Sequence, residues 1–381
     1  MRYIRDVSVA VCSAAALYSS ILQVAEAADA PTVSAKPPSI SAVLAATPDF
    51  QVSGDLAAIY SHFDTNPTSF RAFDGGGNGF TFNQASLTLS DLPSSGPGGQ
   101  ATVIGGEDGN TLRRAETWPY NSASSGFDLY TAYFQYATPH ASIALGKLPT
   151  LVGVESVNQA NNNELSRSLL FWDMQPGSHV GIRITAPVTG TFSFIGGVND
   201  GWNFTSSPSG VGQTVELGVS GQPDSRFSYT GTILSGGSPL YGTAGTGRLT
   251  LVDGVASYAL SSAWSFTING DILSKSTFNG PGSGAGRATG LAGYVNWTPN
   301  AKWVLSLRGE RIVDSDGIVS GTVGTPNTLE EATIAVNYLL ASNLKVSGEI
   351  RVDKSDAPVF STTAGKATAQ RSVELGAAYS F

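Results

Sequence analysis

Cysteine is all but missing from this 381-residue chain: its one copy, Cys12, lies inside an N-terminal apolar run. Beyond that run, disulfides, thiolate metal sites and a cysteine nucleophile are excluded. Cys12 sits early and follows Val11 rather than a small residue, which argues against a lipid anchor on its thiol. Charge is scarce too. Only 13% of residues are charged, and 29 acids against 21 bases leave a net charge of -8, which argues against nucleic acid as a partner. Long hydrophobic runs are also absent, since no apolar stretch reaches the ~18 residues a transmembrane helix requires.

What the chain has instead is glycine, 45 residues of it, and short alternation. From Arg371 to Phe381 the residues Val373, Leu375, Ala377, Tyr379 and Phe381 are apolar on one parity, and Ser372, Glu374, Gly376, Ala378 and Ser380 are small or polar on the other. This is the period of a strand with one face in lipid and one in water. Tyr379 and the terminal Phe381 resemble the C-terminal aromatic signal read by barrel-assembly machinery. The same alternation recurs near 50–61, 80–89, 100–106, 128–136, 142–148, 179–186, 191–198, 214–220, 226–234, 248–258, 264–273, 288–297, 303–312, 330–338, 344–353 and 370–381. The connections alternate as well, long after odd-numbered segments and mostly short after even-numbered ones. Ala137–Ala141, Pro187–Gly190, Gly221–Ser225, Thr298–Lys302 and Leu339–Asn343 read as tight turns. Short turns at one end and long loops at the other predict an all-β fold, an antiparallel transmembrane barrel of about sixteen strands spanning 49–381. Phe50, Tyr60, Tyr136, Trp264, Trp297, Trp303, Tyr338 and Phe381 fall at strand ends, where interfacial girdles require aromatics.

Residues 1–27 read as a secretory leader, with Arg2 and Arg5 before an apolar stretch at Val7–Leu22 and a small-residue site at Ala25-Glu26-Ala27. Residues 28–48, rich in Ala, Pro and Ser, read as a flexible periplasmic tail.

Several blocks resemble the OmpL-like β-barrel porin family over about 71–381: RAFDGGGNGFTFNQASLTL (71–89), LYTAYFQY (129–136), GKLPTLVGVE (146–155), SRSLLF (166–171), PGSHVGIR (176–183), RGERIVDSDGIVSG (308–321) and EIRVDKSDAPVF (349–360). One departure is Val198-Asn199-Asp200-Gly201-Trp202, where the family reads Asn-Gly-Trp. The resemblance implies a water-filled channel in the outer membrane of a Gram-negative cell, passing small hydrophilic solutes by diffusion. Its partners would be outer-membrane lipids and the assembly machinery, with a homotrimer allowed; no cofactor, metal or nucleic acid is expected. The longest connection, about 149–178, corresponds to the third external loop, which either enters the bore or lies over its mouth. Glu155 and Arg167 on it, facing Arg308, Glu310, Glu349 and Arg351 on the wall, are expected to set up a transverse field, with Arg183 and Lys345 also lining the pore.

A barrel lipase or protease would need one of His62, His140 or His179 beside a nucleophile; His179 with Ser166 or Ser178 is the pairing to test, but no G-x-S-x-G elbow is present. The glycine-rich stretches 75–77 and 280–290 lack the Lys-Ser/Thr of a phosphate cradle. Asp314/Asp316 and Asp353/Asp356 suit turn capping better than Ca²⁺. A structural or adhesive barrel with a blocked lumen is the remaining alternative. N-terminal sequencing of the exported protein should begin near Ala28; a chain starting at Met1 would contradict the leader.

Overall fold

The computed structural model describes residues 50–65, 69–74, 77–117, 126–203, 212–237, 247–277, 284–322 and 324–381. The leader at 1–27 and the tail at 28–48 lie outside the described residues, as do residues 75, 76 and 280–283 of the glycine-rich stretches.

Alternation translates into sixteen barrel strands among the described residues. They are β1 (Gln51–Phe63), β2 (Gly79–Asp91), β3 (Gly96–Gly105), β4 (Phe127–Ala137), β5 (Ser142–Pro149), β6 (Ser178–Thr189), β7 (Phe192–Asn199), β8 (Thr214–Gly221), β9 (Phe227–Gly237), β10 (Arg248–Ala259), β11 (Trp264–Lys275), β12 (Gly286–Asn300), β13 (Trp303–Asp314), β14 (Asn327–Ala341), β15 (Leu344–Ser355) and β18 (Ala369–Ser380). Each pairs antiparallel with its neighbours, and β1 pairs with β18, so no backbone edge is left in lipid. A small hairpin, β16 (Phe360–Thr362) and β17 (Gly365–Ala367), belongs to the last long connection, and one helix, α1 (Glu107–Thr117), belongs to the connection between β3 and β4.

Burial runs opposite to that of a soluble sheet. On β11, Trp264, Phe266, Ile268 and Ile272 are exposed, while Ser265, Thr267, Asn269 and Asp271 between them are buried. Apolar surface facing outward is stable only in lipid. Aromatic rings brace the end with the short turns, where Trp264 stacks on Trp297 (5.7 Å) and Trp303 meets Tyr338 (4.7 Å). The strands run further into that end than alternation indicates. Chain reversal occupies only 190–191, 301–302 and 342–343, because bulges at Pro187/Thr189, Trp297/Asn300 and Leu339/Ala341 absorb the irregular residues.

Inside, against strands β9–β14, the half nearest the long connections is filled. Leu249, Leu251, Leu273, Ile312 and Leu329 point inward and pack on Leu169, Leu170 and Met174 of the 150–177 connection, with Trp202, Ile318, Val319 and Phe360 from other connections. Strand β10 therefore carries apolar residues on both parities, which blurs its alternation in sequence. Asn199 accepts the Gly201 N–H (2.9 Å), Gly201 takes φ +101°, and this tight bend delivers Trp202 into the cluster. Helix α1 has no periodic signal, yet it packs against β2, β3 and β4. It is held by Lys147, which reaches Glu116 and Asp128, and by Asp108, which accepts from Gln84 (3.2 Å).

At the seam, Gly54 and Phe381 exchange both backbone hydrogen bonds (3.0 and 2.9 Å). A Cβ on Gly54 would stand 2.5 Å from Phe381 Cζ and 2.4 Å from the Ser86 carbonyl oxygen, so the ring occupies the space a side chain would take. Replacing Gly54→Val, or ending the chain at Ser380, is expected to reduce the heat-modifiable barrel recovered from the outer membrane. The lost ring accounts for roughly 1.5–3 kcal/mol at most, and a greater loss is the outcome expected if Phe381 carries an assembly signal; normal insertion of the truncated chain would contradict this.

Candidate functional site

The 150–177 connection is polar and short of regular structure, so its backbone must find partners wherever it lies. Part of the answer is local. Asn158 caps a 3-10 turn at Gln159–Asn161 by accepting the Ala160 N–H (3.0 Å). Arg167 folds back on its own loop, donating to the carbonyls of Ser156 (2.8 Å), Val157 (3.0 Å) and Leu165 (3.2 Å) and to Gln159 Oε1 (2.7 Å). Its guanidinium also lies 5.4 Å from the centre of the Phe73 ring. A π-helical turn, Leu170–Met174, completes the loop.

The barrel wall supplies the rest. Glu349 on β15 accepts the N–H groups of Leu165 (2.6 Å) and Ser166 (3.2 Å) and the Ser166 hydroxyl (2.5 Å). Glu310 on β13 accepts the N–H groups of Leu169 (2.6 Å) and Leu170 (3.0 Å), where the π-helical turn begins. Arg308 donates to Glu155 (2.7 Å) and to the Ser166 carbonyl (3.0 Å), and Arg351 donates to the Arg167 carbonyl (2.5 Å). Lys345 holds the carbonyls of Ala160 (3.2 Å) and Asn162. Contacts continue round the wall to Asp55, Gln84, Asn269, Asp271, Asn296 and Asn337. A segment bonded to inward-facing side chains of β1, β2 and β11–β15 lies within the barrel.

The residues singled out from sequence thus divide. Glu155, Arg167, Arg308, Glu310, Lys345, Glu349 and Arg351 come together around the loop, but the wall charges stand on the loop's own side and are bonded to it, not across open water from it. Arg308, Glu310, Glu349 and Arg351 are only 0 to 6% exposed. Arg183 is elsewhere, paired with Glu216 on β8 (3.0 Å). Tyr379 and Phe381 stack at the seam (6.3 Å). Sequence reading missed Arg71, which binds Asp74 (2.5 Å), Asp353 (3.1 Å) and Glu374 (2.6 Å), and Glu331, which binds Arg308 (3.0 Å). Glu331 has the inward parity of its strand and was legible; Arg71 lies in a loop without periodicity.

His179 is buried, with Nδ1 3.3 Å from the Gly201 carbonyl, while Ser166 is engaged by Glu349, Arg308 and Arg351. His62 and His140 are exposed. Asp314 accepts the N–H groups of Ile318 (2.8 Å), Val319 (3.0 Å) and Ser320 (2.7 Å), which makes it a turn cap.

Between the loop and the wall of β5–β12 a cavity of about 480 Å³ remains, reaching the short-turn residues Thr189–Ser193 and Ser220–Gln222. Its wall carries hydroxyls, among them Ser142, Thr185, Thr230, Thr232, Ser257 and Thr267, with Tyr130 and Tyr294 beside them. Among the described residues lining it, only Glu155 and Glu164 are charged. Glu155 is neutralised by Arg308 (2.7 Å). Glu164 instead receives the Ser306 hydroxyl, and burial pushes its carboxyl up to about 7, against the pull of Arg308.

The model of the family described as "putative beta-barrel porin-2, OmpL-like" matches residues 49–381. The chain belongs to this porin family. The porin is accordingly a channel of the outer membrane for passive diffusion. No curated protein matches it. Solved structures share its fold at low identity. The outer-membrane channel DcaP of Acinetobacter baumannii is 12% identical with TM-score 0.59, covering 87% of this chain and 97% of its own. An anion-selective porin from Comamonas acidovorans is 13% identical with TM-score 0.56 over 87% and 99%. OmpT, a Vibrio cholerae outer-membrane protein in trimer form, is 10% identical with TM-score 0.58 over 87% and 99%.

Glu310→Ala combined with Glu349→Ala removes the acceptors of four loop N–H groups, each worth on the order of 1–3 kcal/mol when left unsatisfied. The porin's loop is then expected to become cleavable by added protease and its single-channel conductance to rise; a protected loop with unchanged conductance would show that it is held elsewhere.

Proposed function

We propose that small hydrophilic solutes cross through the passage between the 150–177 loop and the β5–β12 wall, with the loop as the constriction. The observation that carries this reading is the contrast between the two sides of the loop. One is tied to the wall by buried charges, and the other faces a cavity lined with hydroxyls. On this reading Arg308, Glu310, Glu349 and Arg351 act on solutes through the loop they position, and Arg183 and Lys345 likewise fix structure. Solute preference then belongs to the cavity lining, where Glu164 is the acid without a cationic partner, so neutral and cationic solutes pass more readily than anions.

The porin acts without catalysis on this reading, because Ser166 and His179 are committed to separate structural bonds. The leader is removed near Ala27, residues 28–48 remain in the periplasm, and the barrel assembles as a homotrimer like the trimeric form of the similar OmpT structure.

Removing residues 156–165 should raise conductance and weaken selectivity. The sign of the pH effect follows from Glu164: its folded-state carboxyl sits near 7 rather than 4.5, so it gains charge as pH rises through about 7. Folding therefore favours its protonated form, a contribution present at low pH and lost as pH climbs between these values. In a KCl gradient the reversal potential should move toward cation preference between pH 5.5 and 8.5, and Glu164→Gln should flatten that change. A wild-type reversal potential independent of pH, or an anion preference at pH 8.5, would overturn the reading.

A further inference from the structure

The outer wall of a membrane barrel should be apolar at membrane depth, and cations there need a counter-charge. This wall breaks the rule on one side only. Arg287 on β12, Arg311 on β13, Lys354 on β15 and Arg371 on β18 are exposed and share the outward parity of their strands' apolar residues. All stand toward the strand ends that meet the long, external connections. Register aligns them: Arg311 lies opposite Glu330, Glu330 opposite Lys354, and Arg371 opposite Val352 one step inward. Glu330 pairs loosely with Arg311 (3.6 Å) and Asp64 with Arg371 (3.0 Å). Among the described residues the side chains of Arg287 and Lys354 form no ion pair, although Asp316 accepts the Arg287 N–H (2.9 Å); four cations against Glu330, Asp64 and Asp316 leave the strip with a positive excess although the whole chain is acidic.

Directly beneath this strip the wall is dented. A shallow, open groove is lined by Ile268, Leu291, Gly293, Gly309, Arg311 and Val313. Its floor is the cross-strand pair Gly293–Gly309. A Cβ on Gly293 would meet nothing within 4 Å, and one on Gly309 would meet only the Glu331 carbonyl oxygen at 3.9 Å, so packing within the barrel does not demand glycine at either place. Glycine in a strand interior weakens it and often marks the close approach of something else.

We propose that the β12–β18 face binds a phosphorylated, multiply acylated glycolipid of the outer leaflet, with its phosphates on Arg287, Arg311 and Lys354 and one acyl chain in the Gly293–Gly309 groove. Charge and shape select the same occupant: a cationic strip at headgroup level above an apolar slot at chain level. Phosphate is recognised there as a charge-assisted hydrogen-bond acceptor, with arginine offering two parallel donors.

The test uses the purified full-length porin in detergent, titrated with bisphosphorylated lipid A, with the same lipid dephosphorylated, and with phosphatidylglycerol. Bisphosphorylated lipid A is expected to bind about tenfold tighter than either other lipid, a ratio typical of one charge-assisted contact. Arg311→Gln with Lys354→Gln should erase most of that preference. Gly293→Leu should fill the groove and weaken lipid A binding about tenfold while conductance stays unchanged. Equal binding of the dephosphorylated lipid, or of phosphatidylglycerol, overturns the assignment. So does a Gly293→Leu porin that keeps its lipid affinity but changes its oligomeric state, since the groove would then be a contact between copies. If the charge variant fails to fold, the comparison of the two forms of lipid A on the wild-type porin still decides.

Discussion

Everything in this barrel follows from the requirement that no backbone N–H or C=O be left without a partner where water is missing. On the wall that requirement closes sixteen strands into a ring and makes the last residue, Phe381, exchange hydrogen bonds with Gly54. The irregular connection inside the lumen meets the same requirement with side chains. Glu349 and Glu310 accept its N–H groups, and Arg308, Arg351 and Lys345 serve its carbonyls. The loop's donors meet acids and its acceptors meet bases, which is why both signs appear on β13 and again on β15.

This use of charge changes what the wall can do for a solute. An ion pair with both partners buried interacts strongly but has already spent its field on its neighbour, and removing one member leaves the other uncompensated. Arg308 between Glu155 and Glu331, and Arg71 between Asp74, Asp353 and Glu374, are of this kind. The open side of the lumen is made of hydroxyls and tyrosines, which can exchange hydrogen bonds with a passing solute without holding it. Glycine has an equally divided role. At Gly54 it makes room for Phe381 within the chain, whereas at Gly293 and Gly309 it leaves room on the outside.

Strand number, strand order and the inward or outward parity of most residues were determined by the sequence itself. A period of two is a local property, and lipid on one side with water on the other imposes it on every strand that borders both. The reading weakened where that condition fails. Leu249 and Leu251 point inward yet touch other side chains rather than water, so β10 alternates poorly. Helix α1 and Arg71 sit in connections with no period to read. Only the tertiary structure decided which charges meet: Glu349 joins Ser166 from 183 positions away, and Arg71 joins Glu374 across 303. Both are inward-facing or in loops, and parity says no more than that. Closing the barrel brings the two ends of the chain side by side, and the choice of partner then rests on distances that no local pattern contains.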